Sequence, residues 1–301
     1  MKRSDSSSEV PRDELDGADC KAKDTVERKR KKSAMMALHV ILFLLAGGAA
    51  AAVTVLSNIT AGPYAAAATV LSNITAGPYD SGIDWDGVRK TIIEEIEAQK
   101  PAVTLAPLLL RLGWHASGTF DPYSNPHGGS ANAPHGGATM RFQPESDYEE
   151  NNGLDEAREA LGRVAARHVG VEEHLADLWV LASYVAVEYL EGPAIVFREG
   201  RTDAIAGGVA ACPPEERLPR FDDPHEAIRK KFERMGMSPK ELVALMGAHT
   251  VGNTNPENSG FPSHHWDNTP QKFDNVYFQY LLQDWWIYDD ENVEHPYYRN
   301  R

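Results

Sequence analysis

Two kinds of hydrophobic patterning divide the 301-residue chain. From Ala34 to Leu56 the residues AMMALHVILFLLAGGAAAAVTVL carry no formal charge, and only His39 and Thr54 are clearly polar. A helix of about 20 apolar residues crosses a bilayer core roughly 30 Å thick, so this run predicts a transmembrane anchor. From about Trp85 onward, apolar positions instead recur three and four apart. That spacing predicts helices over Val88–Gln99, Ala102–Ser117, Asp155–His168, Glu172–Leu190, Pro224–Arg234, Pro239–His249 and Asp274–Trp285. Pro and Gly collect between these stretches, and no sustained apolar/polar alternation interrupts them. The expected fold class is therefore all-α.

Charge orients the anchor. ERKRKK, Glu27–Lys32, stands just before the apolar run, and positive flanks favour the cytosolic side. The N-terminus is expected in the cytosol and everything after Leu56 across the membrane. Ala49–Ala52 resembles a signal-peptide cleavage site, but the long polar tail and the length of the apolar run favour an uncleaved anchor. The secretory pathway is the favoured location, and a mitochondrial membrane is the alternative. TVLSNITAGPY then occurs twice, at Thr54–Tyr64 and Thr69–Tyr79, too short a repeat for a solenoid. Each copy holds an Asn-Ile-Thr glycosylation acceptor, at Asn58 and Asn73. The chain thus divides into a charged tail (1–33), an anchor (34–56), a stem (57–84) and a helical domain (85–301).

The net charge of −14 changes the picture further. Residues 34–79 carry no charge and the first 33 carry a slight positive excess, so the acidic excess lies from Asp80 onward. Such a surface argues against nucleic acid and suits a basic protein partner or simple solubility. Cys20 and Cys212 lie on opposite sides of the anchor, which leaves no internal disulfide framework.

Candidate chemistry sits on two helices. In APLLLRLGWHASGTFD, Ala106–Asp121, Arg111 and His115 are four apart and share a helix face beside Trp114. An imidazole that shuttles a proton and a guanidinium that stabilises developing negative charge suit heterolysis of a peroxide bond. In MSPKELVALMGAHTVG, Met237–Gly252, Ser238 and Glu241 form a capping box with Pro239 at the first helical position. Leu242, Leu245 or Met246, and His249 follow at helical spacing, ending an apolar face with an imidazole suited to axial ligation of haem iron. Either segment alone reads equally as an amphipathic helix with a satisfied core histidine.

Together with SGTFD after His115, GGATMRF at Gly136–Phe142, NNGL at Asn151–Leu154 and VALMGAHTVG at Val243–Gly252, the order and spacing resemble the class I haem peroxidases. That group comprises cytochrome c peroxidases, ascorbate peroxidases and bacterial catalase-peroxidases, and the likeness runs from about Trp85 to the end. The resemblance implies a haem peroxidase fold, with haem b between a distal and a proximal helix. It implies His115 as distal acid/base, Arg111 as its charge-stabilising partner, Trp114 as the distal aromatic, and Asn151 as acceptor from the distal imidazole. His249 becomes the proximal ligand, with Trp266 against it. Hydrogen peroxide is then reduced to water, and ascorbate or cytochrome c restores the protein in two one-electron steps. A K+ or Ca2+ ion is implied at Thr250, Asp267, Thr269 and Asp274.

Three departures from the family pattern qualify these expectations. The family's LPxD segment, which supplies a carboxylate to the proximal histidine, does not follow DWWIYDDENVEHPYYRNR, so the domain is expected to be C-terminally incomplete with Asp289, Asp290 or Glu291 as poor substitutes. Asn258 stands where ascorbate peroxidases carry an arginine that meets ascorbate, which favours cytochrome c, although a luminal domain would keep cytochrome c away. SANAPH, Ser130–His135, looks inserted, and His127, His135, His264 and His265 read as loop histidines because their spacing fits no zinc pattern. A haem-binding peroxide sensor with little turnover is the main alternative, and a haem-free helical interaction domain a third reading.

Overall fold

A computed structural model describes residues 80–99, 105–208, 210–283, 286–289 and 297–300. The expected charged tail, anchor and stem, with Asn58 and Asn73, lie outside the described residues, apart from the stem's last five positions. Among the described residues no helix is long and apolar enough to cross a membrane.

All seven expected helices are present. They are α1 (Trp85–Ala98), α2 (Leu105–Gly118), α3 (Asp155–Ala165), α4 (Leu175–Tyr189), α5 (His225–Arg234), α6 (Pro239–Met246) and α8 (Val276–Gln283); a single turn, α7 (Pro256–Ser259), falls between the last two. The all-α expectation holds, with one small addition that the sequence pattern did not show. A hairpin of β1 (Trp286–Asp289) and β2 (Tyr297–Asn300) pairs antiparallel, with Trp286 opposite Asn300 and Asp289 opposite Tyr297. The segments WIYD and YYRN are aromatic-rich, which favours extended backbone, yet each is too short for periodicity to reveal it.

Helix α4 is buried on nearly every side, from Ala176 to Val187. A helix apolar all round belongs at the centre of a core. Its main partner is α2; α3 packs on both, and α1 packs on α4 and α3. Ile92 and Ile96 of α1, Leu105, Leu109 and Leu112 of α2, Leu161 and Val164 of α3, and Leu178 and Leu181 of α4 form one continuous core. Asp177, the buried acid of α4, is matched by Arg201, whose Nη1 lies 2.7 Å from Oδ1, and it also accepts from the backbone N–H of Gly200. A second, smaller cluster of Phe232, Met235, Met237 and Ala244 joins α5 to α6. Trp114 of α2 packs on that cluster, and Leu245 packs on both clusters. The two histidine-bearing elements are thereby tied to one framework.

Candidate active site

The buried side of α2 is apolar, so Arg111, Trp114 and His115 fall on its half-buried flank. Arg111 donates from Nη1 to the Asn152 carbonyl at 2.8 Å and from Nη2 to the Glu150 carbonyl at 2.9 Å. His115 Nδ1 lies 2.9 Å from Asn151 Oδ1. The orientation of that amide is fixed independently, because Asn151 Nδ2 donates to the Glu145 carbonyl at 2.8 Å. Its oxygen must face the imidazole, so Nδ1 carries the hydrogen and Nε2 keeps a free lone pair. Burial, then the Arg111 guanidinium, pushes the His115 pKa down to about 3, against the opposing bond to Asn151. Burial also lowers Arg111, to about 10, which leaves it charged at neutral pH. The result is a neutral base beside a cation.

Trp114 stacks on Phe232 of α5 with ring centroids 5.7 Å apart and planes 19° from parallel. The end of α2 is held close to this indole. A methyl group at Gly118 would sit 2.9 Å from the Trp114 ring and 2.7 Å from Leu218, so any side chain there would make these neighbours shift. Arg234 of α5 donates to the Gly118 carbonyl at 2.7 Å, a cation at a helix C-terminus.

The expected capping box starts α6, with Ser238 accepting from the Glu241 backbone and Glu241 reaching back to Ser238. The expectation that the helix continues through His249 is corrected. The α-helix ends at Met246 and tightens into a 3-10 turn over Gly247–Thr250. Helix ends leave carbonyls without intrahelical partners, and His249 Nδ1 lies 3.1 Å from one of them, the Met246 oxygen. A carbonyl can only accept, so Nδ1 donates and Nε2 is again the bare nitrogen. Burial lowers the His249 pKa and keeps this ring neutral too.

Trp266 lies against His249, centroids 4.8 Å apart at 47°, and Tyr277 lies on the same imidazole at 5.6 Å and 44°. The segment after His249 also meets the start of α2 and the turn after Asn151. A Cβ on Gly252 would come within 3.0 Å of Pro107 in α2, and one on Gly153, whose φ is +77°, would overlap the Asn258 amide. Thr250, Asp267, Thr269 and Asp274 form a compact group. Thr250 Oγ1 lies 2.7 Å from Asp267 Oδ2 and 3.1 Å from Asp274 Oδ1, while Asp267 Oδ1 accepts from the Thr269 N–H at 2.8 Å.

Comparison with known proteins gives the family. The sequence profile described as Peroxidase matches residues 88–293. This chain belongs to the peroxidase family. It is 39% identical over 202 residues to the protein named mitochondrial cytochrome c peroxidase from Aspergillus fumigatus, covering 67% of this chain and 51% of that one. The namesake from Emericella nidulans is 38% identical over 205 residues, 67% of this chain and 54% of that one. The one from Neurospora crassa is 39% identical over 191 residues, 64% and 50% respectively. The chain spans about half the length of these curated relatives. The likeness read from the motifs, to class I haem peroxidases, agrees with these matches.

Haem is the cofactor the peroxidase family implies, and the residues present fit it. His249 offers a neutral nitrogen with a free lone pair, which is what axial ligation of haem iron requires. A Cβ on Gly247 would crowd Phe278 at 2.6 Å, so this glycine lets the turn that carries His249 pack closely on α8. Arg111, Trp114, His115, Asn151, His249 and Trp266 all fall in the two contact networks above. Sequence reading missed Phe232, Tyr277 and the carbonyls of Glu145, Glu150 and Asn152. Main-chain acceptors leave no residue-type signal, and only the tertiary fold brings those two rings to the site. Asp290 and Glu291 lie outside the described residues.

Proposed function

We propose that this peroxidase domain reduces hydrogen peroxide to water with haem b held by His249 and with His115 and Arg111 on the opposite face. One observation carries the reading: both imidazoles are half-buried, neutral and fixed through Nδ1 by a one-way acceptor, so each presents an unprotonated Nε2. On the distal side Nε2 can take the proton from the near oxygen of peroxide and return it to the departing oxygen. Arg111 stays charged and is braced by two carbonyls, so it can stabilise the negative charge that develops without reorganising. Bound haem would supply the redox capacity. Trp266, in contact with the ligand imidazole, is the aromatic best placed for electron entry from a one-electron donor.

Cytochrome c is the favoured donor over ascorbate. The relatives' names point that way, Asn258 rather than an arginine sits at the Gly153 junction, and the chain is acidic. The relatives' description as mitochondrial favours a mitochondrial membrane, reached through residues 34–56, over the secretory pathway; at that location cytochrome c is within reach. The oxygen-only group of Thr250, Asp267, Thr269 and Asp274 suits a hard cation, K+ or Ca2+.

A second reading, a haem-bound peroxide sensor with little turnover, is favoured by the neutral carbonyl that His249 Nδ1 meets. A carbonyl makes the ring a weaker electron donor than a carboxylate would. Stopped-flow spectroscopy of haem-loaded protein separates the readings. A rapid Soret shift with peroxide, abolished by His115→Leu, followed by return on adding reduced cytochrome c, is the expected result. A shift without return is the sensor, and no haem uptake refutes both.

A further inference from the structure

The turns from Glu145 to Asn151 hold both distal groups by main-chain oxygens. The Glu145 carbonyl accepts from Asn151, which orients His115, and the Glu150 carbonyl accepts from Arg111. The side chains of these same two glutamates are unusual. Glu145 is only 2% exposed, and its Oε2 has no hydrogen-bond partner. Thr139 serves its carboxyl group. The charged and titratable groups facing it are Glu150, Arg158 of α3, Arg217, Cys212 and Tyr148. Arg158 Nη1 is itself buried without a hydrogen-bond partner. Glu150 in turn faces Glu215, Arg220 and Lys231 of α5, and accepts from the Glu216 backbone.

We propose that Glu145 is a positioning residue of the distal site: as the neutral acid its carboxyl keeps the 145–151 segment in place, and its ionisation displaces the carbonyls that hold Asn151 and Arg111. The inference rests on the peroxidase reading above. An ionised carboxylate with an unserved oxygen is costly in a buried site, and Glu150 adds repulsion. Relief comes from moving toward Arg158 and Arg217, and the carbonyl that orients Asn151 belongs to the residue that moves. The proton released goes to solvent. Burial first, with Glu150 adding to it, raises the Glu145 pKa to about 7, and burial places Glu150 at about 7 as well. Reaction with peroxide should therefore decline as pH rises through about 7, far from the acid side where His115 titrates. Folding carries the same signature. Between the ordinary 4.5 and about 7 the folded chain keeps a proton that the unfolded chain has lost, so stability falls as pH rises across that window.

The test compares wild type, Glu145→Gln and Glu150→Gln as haem-loaded full chains. One neutral-acid titration centred near 7 predicts that the wild-type peroxide rate drops about tenfold between pH 6 and pH 8. Glu145→Gln, a mimic of the protonated state, should bring that ratio close to one. Glu150→Gln should move the midpoint to lower pH, because a like charge has gone. A Glu145→Gln ratio equal to wild type overturns the proposal, as does a midpoint in Glu150→Gln that stays or rises. Denaturant titrations and infrared spectra of the same proteins need no turnover. A protonated-carboxyl band at pH 6 that disappears in Glu145→Gln, with a flatter stability curve from about 4.5 to 7, supports the neutral acid; identical spectra and slopes refute it. Absence of any peroxide reaction at every pH, with these two signatures intact, would remove the proposed function and leave the buried neutral acid standing.

Discussion

Replacing Asn151 by leucine gives the sharpest test of how the distal imidazole is prepared. Asn151 is buried, and its two amide ends join His115 Nδ1 at 2.9 Å to the Glu145 carbonyl at 2.8 Å. Leucine removes the acceptor and leaves the Nδ1 hydrogen without a partner. An unsatisfied buried donor costs about 1–3 kcal/mol, which is the energy that holds the tautomer with Nε2 bare. Losing it lets the hydrogen move to Nε2, where the ring no longer works as a base. The bimolecular rate with peroxide should fall by about 5- to 150-fold, the population factor for that energy. The bond to Asn151 raises the His115 pKa, so its loss lowers that pKa further and the ring stays neutral. The rate loss should consequently be the same at pH 5 and pH 6. The assay is stopped-flow mixing with excess peroxide across that range. Asn151→Asp keeps an acceptor and should retain most of the rate. An unaltered rate in Asn151→Leu, or a loss that disappears on raising the pH by one unit, would refute the tautomer argument.

Three further outcomes are expected. Gly153→Ala should destabilise the fold by about 1–3 kcal/mol, because φ is +77° and the new methyl group meets Asn258; thermal unfolding should show only partial recovery when Asn258→Ala is added. Asp177→Ala should cost about 3–5 kcal/mol in denaturant titrations, since it removes the buried carboxylate ion-paired with Arg201 and the acceptor of the Gly200 N–H. If the oxygen group holds a cation, K+ or Ca2+ should raise the melting temperature of the wild type and not of Asp267→Asn, and equal shifts in both would place the effect elsewhere.

Much of this protein is legible along the chain because its information is periodic or local. The 3.6-residue spacing located seven helices, and the Ser238–Glu241 capping box and Pro239 marked the start of α6 at the position observed. The i, i+4 relation placed Arg111 and His115 on one face of α2, and motif order led to the residues of the candidate site. Local rules failed where the backbone leaves the helix. The turn that carries His249 is 3-10, and the hairpin at Trp286–Asn300 has no periodic signature.

What the fold alone decided is the state of each group. Sequence identifies His115 and His249 as imidazoles, but which nitrogen is bare depends on Asn151 and on the Met246 carbonyl. The first of these acceptors is distant in the chain, and the second becomes available only where the helix ends. The same holds for Glu145, an ordinary acid in the sequence that becomes a buried one beside Glu150, Arg158 and Arg217 once the chain is folded. Residue type and spacing are properties of the covalent chain; protonation and tautomer depend on desolvation and on neighbours that only packing supplies.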